Sequence, residues 1–329
     1  MQFGLLNRRE LIALLSAALF PRVAPAQPPA MPIVGYMPAG SLRALRQQIV
    51  AFHEGLKESG LVEGQNVAVE YRSAEGQLDR FPALAADLVR RQVAVLVTTS
   101  LDGARAAKQA TSTIPIVFSV GGDPVGGGLV TSLNRPGSNI TGVYQFTAGL
   151  EAKRLGLLHE MVPKITTIAV LINSSFSAAP LQLRDVQQAA PGLGLQLAVV
   201  RAGTESDIDR AFATFAQQRA GAVLVCASPF FNVRREQLVV LAARHNLPAI
   251  YEWRDFAAAG GLMSYGTSLG EAYRQTGVYA GRILKGASPG DLPIVQVTKF
   301  EFVINLSTAK ALGIEVPPTL SARADEIIE

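Results

Sequence analysis

The chain has 329 residues, 49% of them hydrophobic and 17% charged, with a formal charge of +4 and a single cysteine. That length exceeds one ordinary core and suits two α/β domains. The composition excludes the disordered class, and one cysteine excludes an intrachain disulfide.

At the N-terminus, Arg8 and Arg9 precede an apolar run over 11–20 and then Ala24-Pro25-Ala26. This is the order of a secretory signal peptide, cleaved after Ala26. The run is too short to span a bilayer as a helix, and the paired arginines admit either general or twin-arginine export. Removing Arg8, Arg9, Glu10 and Arg22 lowers the charge by two. A near-neutral mature chain gives no support for a nucleic-acid partner. No cysteine stands at the cleavage site to carry a lipid, so the expected location is the periplasm, as a soluble protein.

From residue 33 onward, strands and helices alternate. Strands are predicted at 33–36, 67–71, 93–98, 115–120 and 140–144, with helices at 42–58, 81–90 and 102–110. In the first helix Leu45, Ile49, Phe52 and Leu56 recur at helical spacing, and Gly60 closes it. A glycine-rich turn fills 121–128. The series restarts with helix 150–161, strand 167–172, helix 181–190, strand 195–200, helix 207–219, strand 222–226, helix 234–245 and strand 248–251. A strand at 261–265, a helix at 269–285, one strand over 294–304 and a short helix within 306–329 complete it. Such a βαβ series implies parallel sheets with helices on both faces.

The halves resemble each other. VAVLVTTS at 93–100 returns as GAVLVCAS at 221–228, with five of eight positions identical. Ligands of open α/β sheets sit beyond the carboxyl ends of strands, so Ser100 and Ser228 stand at corresponding edges of a shared cleft. The expected division is a signal peptide at 1–26, a first lobe of 27–146 plus 257–286, and a second lobe of 147–256 plus 287–329.

Several motifs tempt and fail. Gly286-Ala287-Ser288-Pro289-Gly290 matches a nucleophile-elbow pattern, but it follows a helix, and Pro289 prevents a regular helix entry. Ser288 therefore reads as part of a helix-terminating loop. His53, His159 and His245 fall on separate helices without metal spacing. Cys226 lies within a strand and reads as a small core residue. The 121–128 turn lacks the Lys-Ser/Thr of a phosphate loop. It leaves Asp123 with two readings, a turn cap or the partner of a ligand cation. Phe230, Tyr251 and Trp253 follow strand ends of the second half and read either as a cleft wall or as caps over the sheet edge.

Three stretches carry a resemblance. They are GLKESGLVEGQNVAVEYR (55–72), IPIVFSVGGDPVGGGLVTSLNRPGSNITGV (114–143) and FVINLSTAKALGIEVPPTLSARADEIIE (302–329). On these the chain resembles the substrate-binding proteins of bacterial ABC transporters, the branch that includes tryptophan- and tyrosine-uptake components. The resemblance implies an α/β type I periplasmic binding fold: two doubly wound parallel-sheet lobes joined by a three-crossing hinge. It further implies a small-molecule ligand, an ABC permease with its ATPase subunit as partners, contact with the membrane only through the permease, and no cofactor or enzymatic activity. A monomer is expected.

The residues suggest how a small carboxylate ligand such as an amino acid is held. Helix-start N–H groups after Ser100 and Ser228 suit its carboxylate. Hydroxyls of Ser41, Thr99, Ser119 and Ser174 add neutral hydrogen bonds, and Asp123 or Glu252 meets an ammonium group. Tyr144 and Asn173 stand at further strand ends, and Phe230 and Tyr251 supply an apolar wall. Two other readings are a periplasmic sensor feeding a signalling receptor, and a hydrolase using Ser288 or a carboxylate base. The second lacks a nucleophile–base–orienter set of workable spacing.

Overall fold

The computed structural model describes residues 31–145, 149–176 and 178–329. The expected signal peptide and its cleavage site lie outside the described residues. In chain order the strands are β1 (Ile33–Met37), β2 (Ala68–Tyr71), β3 (Val95–Thr98), β4 (Ile116–Val120), β5 (Ile140–Gln145), β6 (Thr167–Ile172) and β7 (Gln196–Arg201). They continue with β8 (Ala222–Val225), β9 (Ala249–Tyr251), β10 (Met263–Thr267), β11 (Val295–Val297), β12 (Phe300–Asn305) and β13 (Glu326–Ile328).

These strands form two sheets, ordered β11-β5-β4-β3-β1-β2 and β13-β12-β10-β9-β8-β6-β7. Every pairing in the first sheet is parallel. The second is parallel from β10 to β7, and β12 joins β10 antiparallel. Each sheet is covered on both faces, and the two-residue period of a strand decides which core a side chain enters. Val95 and Val97 face the core under the helices Arg46–Glu58 and Leu269–Leu284, while Leu96 enters the opposite one. Val223 and Val225 are divided from Leu224 and Cys226 in the same way. Full burial of such side chains stabilises by roughly 1.5–3 kcal/mol each.

Two late elements depart from the expected division. β10, placed by sequence with the first lobe, is hydrogen-bonded into the second sheet, and β11, placed with the second lobe, pairs with β5 of the first. The single strand expected over 294–304 is thus two strands in different sheets. Thr298 and Lys299, both exposed, break its alternation and form a crossing between lobes. Another crossing is Ser268, between β10 and the helix Leu269–Leu284, and its N–H donates to the Lys299 carbonyl at 2.9 Å. The remaining crossing runs from β5 to the helix Glu151–Met161. Its residues 146–148, and with them the expected boundary at 146, lie outside the described residues.

The helix Leu269–Leu284 packs on the first lobe by backbone contact. A Cβ on Gly277 would come within 2.1 Å of the Phe52 carbonyl oxygen, and one on Gly55 within 1.9 Å of the Arg274 carbonyl oxygen. Only hydrogen at both positions lets the two helices meet this closely. The helix expected at 207–219 begins earlier, at Glu205, because Thr204 caps it. Its hydroxyl accepts from the Asp207 N–H while the Asp207 carboxylate accepts from the Thr204 N–H, a reciprocal capping box.

Candidate functional site: an interlobe cleft

The loops that leave the carboxyl ends of the two sheets face each other. Gln48, near the start of the helix after β1, donates from Nε2 to Oδ2 of Asp255, four residues past β9, at 2.7 Å. Arg235 approaches the same Asp255 oxygen at 3.5 Å from within the second lobe. Gly76, beyond β2, would carry a Cβ 3.6 Å from Val233, beyond β8. A cavity of about 120 Å³ lies among Gln47, Gln48, Trp253, Asp255, Thr267 and Leu269. Contacts from both sides make this a closed arrangement of the lobes.

On the first-lobe edge the hydroxyls of Ser41, Thr99 and Ser100 are bonded to backbone N–H groups, and Thr99 also to a tyrosine. Thr99 Oγ1 accepts from the Ala39 N–H at 3.3 Å and bonds the Tyr273 hydroxyl. Burial pushes that phenol up to about 12, so it stays protonated and able to donate. Ser100 is the N-cap of the helix Leu101–Ala110, its hydroxyl accepting from the Gly103 N–H at 3.0 Å. Ser41 accepts from the Ala44 N–H at 3.2 Å. Tyr144 is 8% exposed, and burial, with the Asp123 charge adding to it, raises its hydroxyl above the ordinary tyrosine range.

One first-lobe expectation changes. Ser119 is fully buried within β4, where its hydroxyl accepts from Gln145 Nε2 at 2.7 Å, so it braces the root of a crossing. Asp123 makes turn contacts: its Oδ1 accepts from the Val125 N–H at 2.9 Å, and its carbonyl from the Gly127 N–H.

The second-lobe edge is built differently. Asn173 Nδ2 donates to Ser228 Oγ at 3.0 Å, and Asn173 Oδ1 accepts from the Ser175 N–H, which ties the ends of β6 and β8 together. Ser174 is exposed, and Phe230 is half-buried against Phe231. Tyr251 belongs to the core. It is fully buried, stacked on Phe256 with ring centroids 4.7 Å apart, and it closes over Gly261. Alternation along β9 explains this correction, because Ala249 and Tyr251 point to one face and Ile250 to the other.

Glu252, one residue on, takes the opposite face. It is 6% exposed, and no hydrogen bond reaches its carboxyl among the described residues. Burial pushes its pKa up to about 8; Arg154 opposes that rise and Glu151 adds to it. Glu151 and Arg154 are both fully buried. Arg154 Nη1 donates to Glu151 Oε1 at 3.0 Å, and its Nε donates to the Tyr265 carbonyl at 2.7 Å. Arg154 therefore ties the start of the helix Glu151–Met161 to β10, beside two of the crossings.

Glu151, Arg154, Gln48, Asp255, Tyr273 and Gln145 were absent from the sequence-derived set. For the first two a signal existed. Glu151, Arg154, Leu155 and Leu158 share one face of a helix by their spacing, so the charged pair rides on the leucine face. Elsewhere, Ser288 precedes a short 3-10 turn and is exposed. Cys226 is buried in the core with its thiol pushed well up by that burial. Among the described residues no three His, Cys, Asp or Glu side chains gather as a metal site. No described helix is long and apolar enough to cross a membrane.

Two doubly wound lobes with a polar cleft at their facing strand ends make up the type I periplasmic binding fold. The ABC transporter substrate-binding protein model matches residues 41–328, and the chain belongs to that family. A tyrosine-binding protein of Clostridioides difficile (strain R20291) is 26% identical over 267 residues, covering 80% of this chain and 76% of that protein. Among solved structures, a conserved domain protein from Vibrio cholerae is 28% identical with a TM-score of 0.80, covering 90% of this chain and 99% of that one. An ABC domain from Streptococcus pneumoniae in complex with L-Trp is 23% identical with a TM-score of 0.80, at the same coverages.

Proposed function

We propose that this chain is the periplasmic solute-binding component of an ABC importer, exported by a cleaved N-terminal signal and delivering a small amino acid-like carboxylate to a membrane permease. The ligand lies between the two carboxyl edges. Thr99, Ser100 and the N–H groups opening the helix Leu101–Ala110 take its carboxylate, and Glu252 takes its ammonium group. Asn173 and Ser228 flank that pole, and Phe230 and Trp253 border its apolar body. The observation that carries this reading is the asymmetry of the cleft. Hydroxyls and helix-start N–H groups gather on one edge, and a buried carboxyl with no hydrogen bond among the described residues stands on the other. A zwitterion has the complementary pattern. The tyrosine-binding relative and the L-Trp complex favour an aromatic amino acid.

Contacts shared by both lobes favour the closed form, so a ligand shifts the hinge equilibrium by its differential affinity for closed over open. The closed surface is what a permease reads. A micromolar ligand corresponds to about −8 kcal/mol, within reach of two charged poles and a buried ring. Thermal unfolding of the mature chain against the twenty amino acids tests the reading. A saturable rise in Tm with an aromatic amino acid is expected, and no shift with any amino acid contradicts it.

A further inference from the structure

Beneath the cleft floor of the second lobe lies a cluster of ionisable side chains, buried apart from the half-buried Asp185, that no described first-lobe element matches. Glu252 directly follows β9; Glu151 and Arg154 come from the first turn of the helix Glu151–Met161. Cys226 stands just past β8, and Asp185 on the helix Ala179–Ala189 accepts from the Ala152 N–H at 2.9 Å. Tyr265 of β10 gives its carbonyl to Arg154. The valences are incomplete. Arg154 Nη2 and Glu151 Oε2 have no hydrogen-bond partner among the described residues although both side chains are fully buried. Glu252, 6% exposed, has no side-chain hydrogen bond either among the described residues.

With Glu151 and Arg154 ionised as a pair, an ionised Glu252 adds an uncompensated buried negative charge on the side of the cluster that also holds Asp185, and burial favours the protonated carboxyl. A ligand ammonium brought against Glu252 supplies the missing positive charge. The carboxylate then has a cation on the cleft side and the spare Arg154 donor within the cluster.

We propose that capture of the ligand is linked to release of one proton from Glu252, with Arg154 as the positioning residue that holds the carboxylate once it forms. The proton leaves to solvent, the ammonium keeps its own three, and no covalent bond changes. This rests on the amino-acid reading above, because a ligand without a cationic group would leave Glu252 protonated. It gives the cleft a filter: anionic analogues of the same shape lack the charge that draws the proton off.

The test is titration calorimetry of L-tyrosine and L-tryptophan into the mature chain, in pairs of buffers with different ionisation enthalpies. With Glu252 titrating at about 8, about nine-tenths of a proton is released per ligand at pH 7. Affinity falls about tenfold from pH 7 to pH 6 and flattens above pH 8, until the ligand's amine titrates. The isosteric Glu252→Gln abolishes the release and flattens the pH profile, while its far-ultraviolet dichroism reports that it folds. Arg154→Lys, which keeps the charge but loses the fork, moves the midpoint of the pH profile upward. Three results would overturn the inference: binding with buffer-independent heat, a flat profile between pH 6 and 8, or proton release persisting in Glu252→Gln. Each leaves the amino-acid reading standing. Failure of both amino acids to bind removes the two together.

Discussion

Ser100 and Ser228 occupy the same place in a repeated octapeptide, at the same end of the same kind of strand, and do different work. Ser100 caps a ten-residue helix with its hydroxyl. Ser228 precedes Pro229 and a five-residue helix, caps nothing with its side chain, and accepts from Asn173 instead. The contrast extends to the lobes. The first-lobe edge is a network of neutral hydroxyls closed on backbone N–H groups and a tyrosine, whereas the second carries a buried ion pair and a carboxyl held protonated. Duplicated topology fixes where a ligand goes. The residues added at the strand ends decide which chemical pole faces which lobe.

The sharpest way to break this contrast is to open the ion pair. Arg154→Met leaves Glu151 buried without its partner, and urea unfolding should show a loss of about 3–5 kcal/mol. Pairing it with Glu151→Gln should recover most of that loss. A single variant as stable as the wild type would show that the second-lobe edge does not carry the charges described.

Glu252 comes next. Its folded pKa, about 8, lies above the ordinary 4.5, so the folded state binds the proton more tightly than the unfolded chain does. The stability it contributes is whole below about pH 4.5 and is lost as pH rises through 8, by an amount on the order of a few kcal/mol. Glu252→Gln should flatten that part of the pH–stability curve, and an unchanged slope would deny the buried acid.

The first lobe is vulnerable to bulk rather than to charge. Gly277→Ala drives a methyl into the Phe52 carbonyl, and about 1–3 kcal/mol of stability should go with it. An alanine tolerated without loss would mean that the two helices do not meet at that glycine. Asp255→Asn weakens the Gln48 bond between lobes and should cost about 1 kcal/mol of closure, seen as a several-fold weaker Kd at unchanged Tm of the unliganded chain. A Kd identical to the wild type would place that bond outside the closing motion.

Most of the fold was legible because its signals are local. Alternation along β3 and β8, the leucine spacing of the first helix and the repeated octapeptide lie within short windows. Sheet membership of β10 and β11 was not legible, since a strand's partner is a long-range choice that two exposed residues, Thr298 and Lys299, redirect. The carboxyl edges marked the right neighbourhood. They could not separate Tyr251 from Glu252, adjacent residues that the strand sends to opposite faces. Charge on a helix, as at Glu151 and Arg154, ordinarily means a solvated face. Here the leucines beside them gave the contrary signal.

The measurement closest to the centre of this account is calorimetric titration at pH 8 of L-tyrosine, L-tryptophan and the desamino acid 3-(4-hydroxyphenyl)propanoate. The account predicts one-to-one binding of an amino acid at about micromolar Kd, and a desamino acid at least about tenfold weaker because it leaves Glu252 without its cation. Equal affinity for the desamino acid, or none for either amino acid, would contradict it.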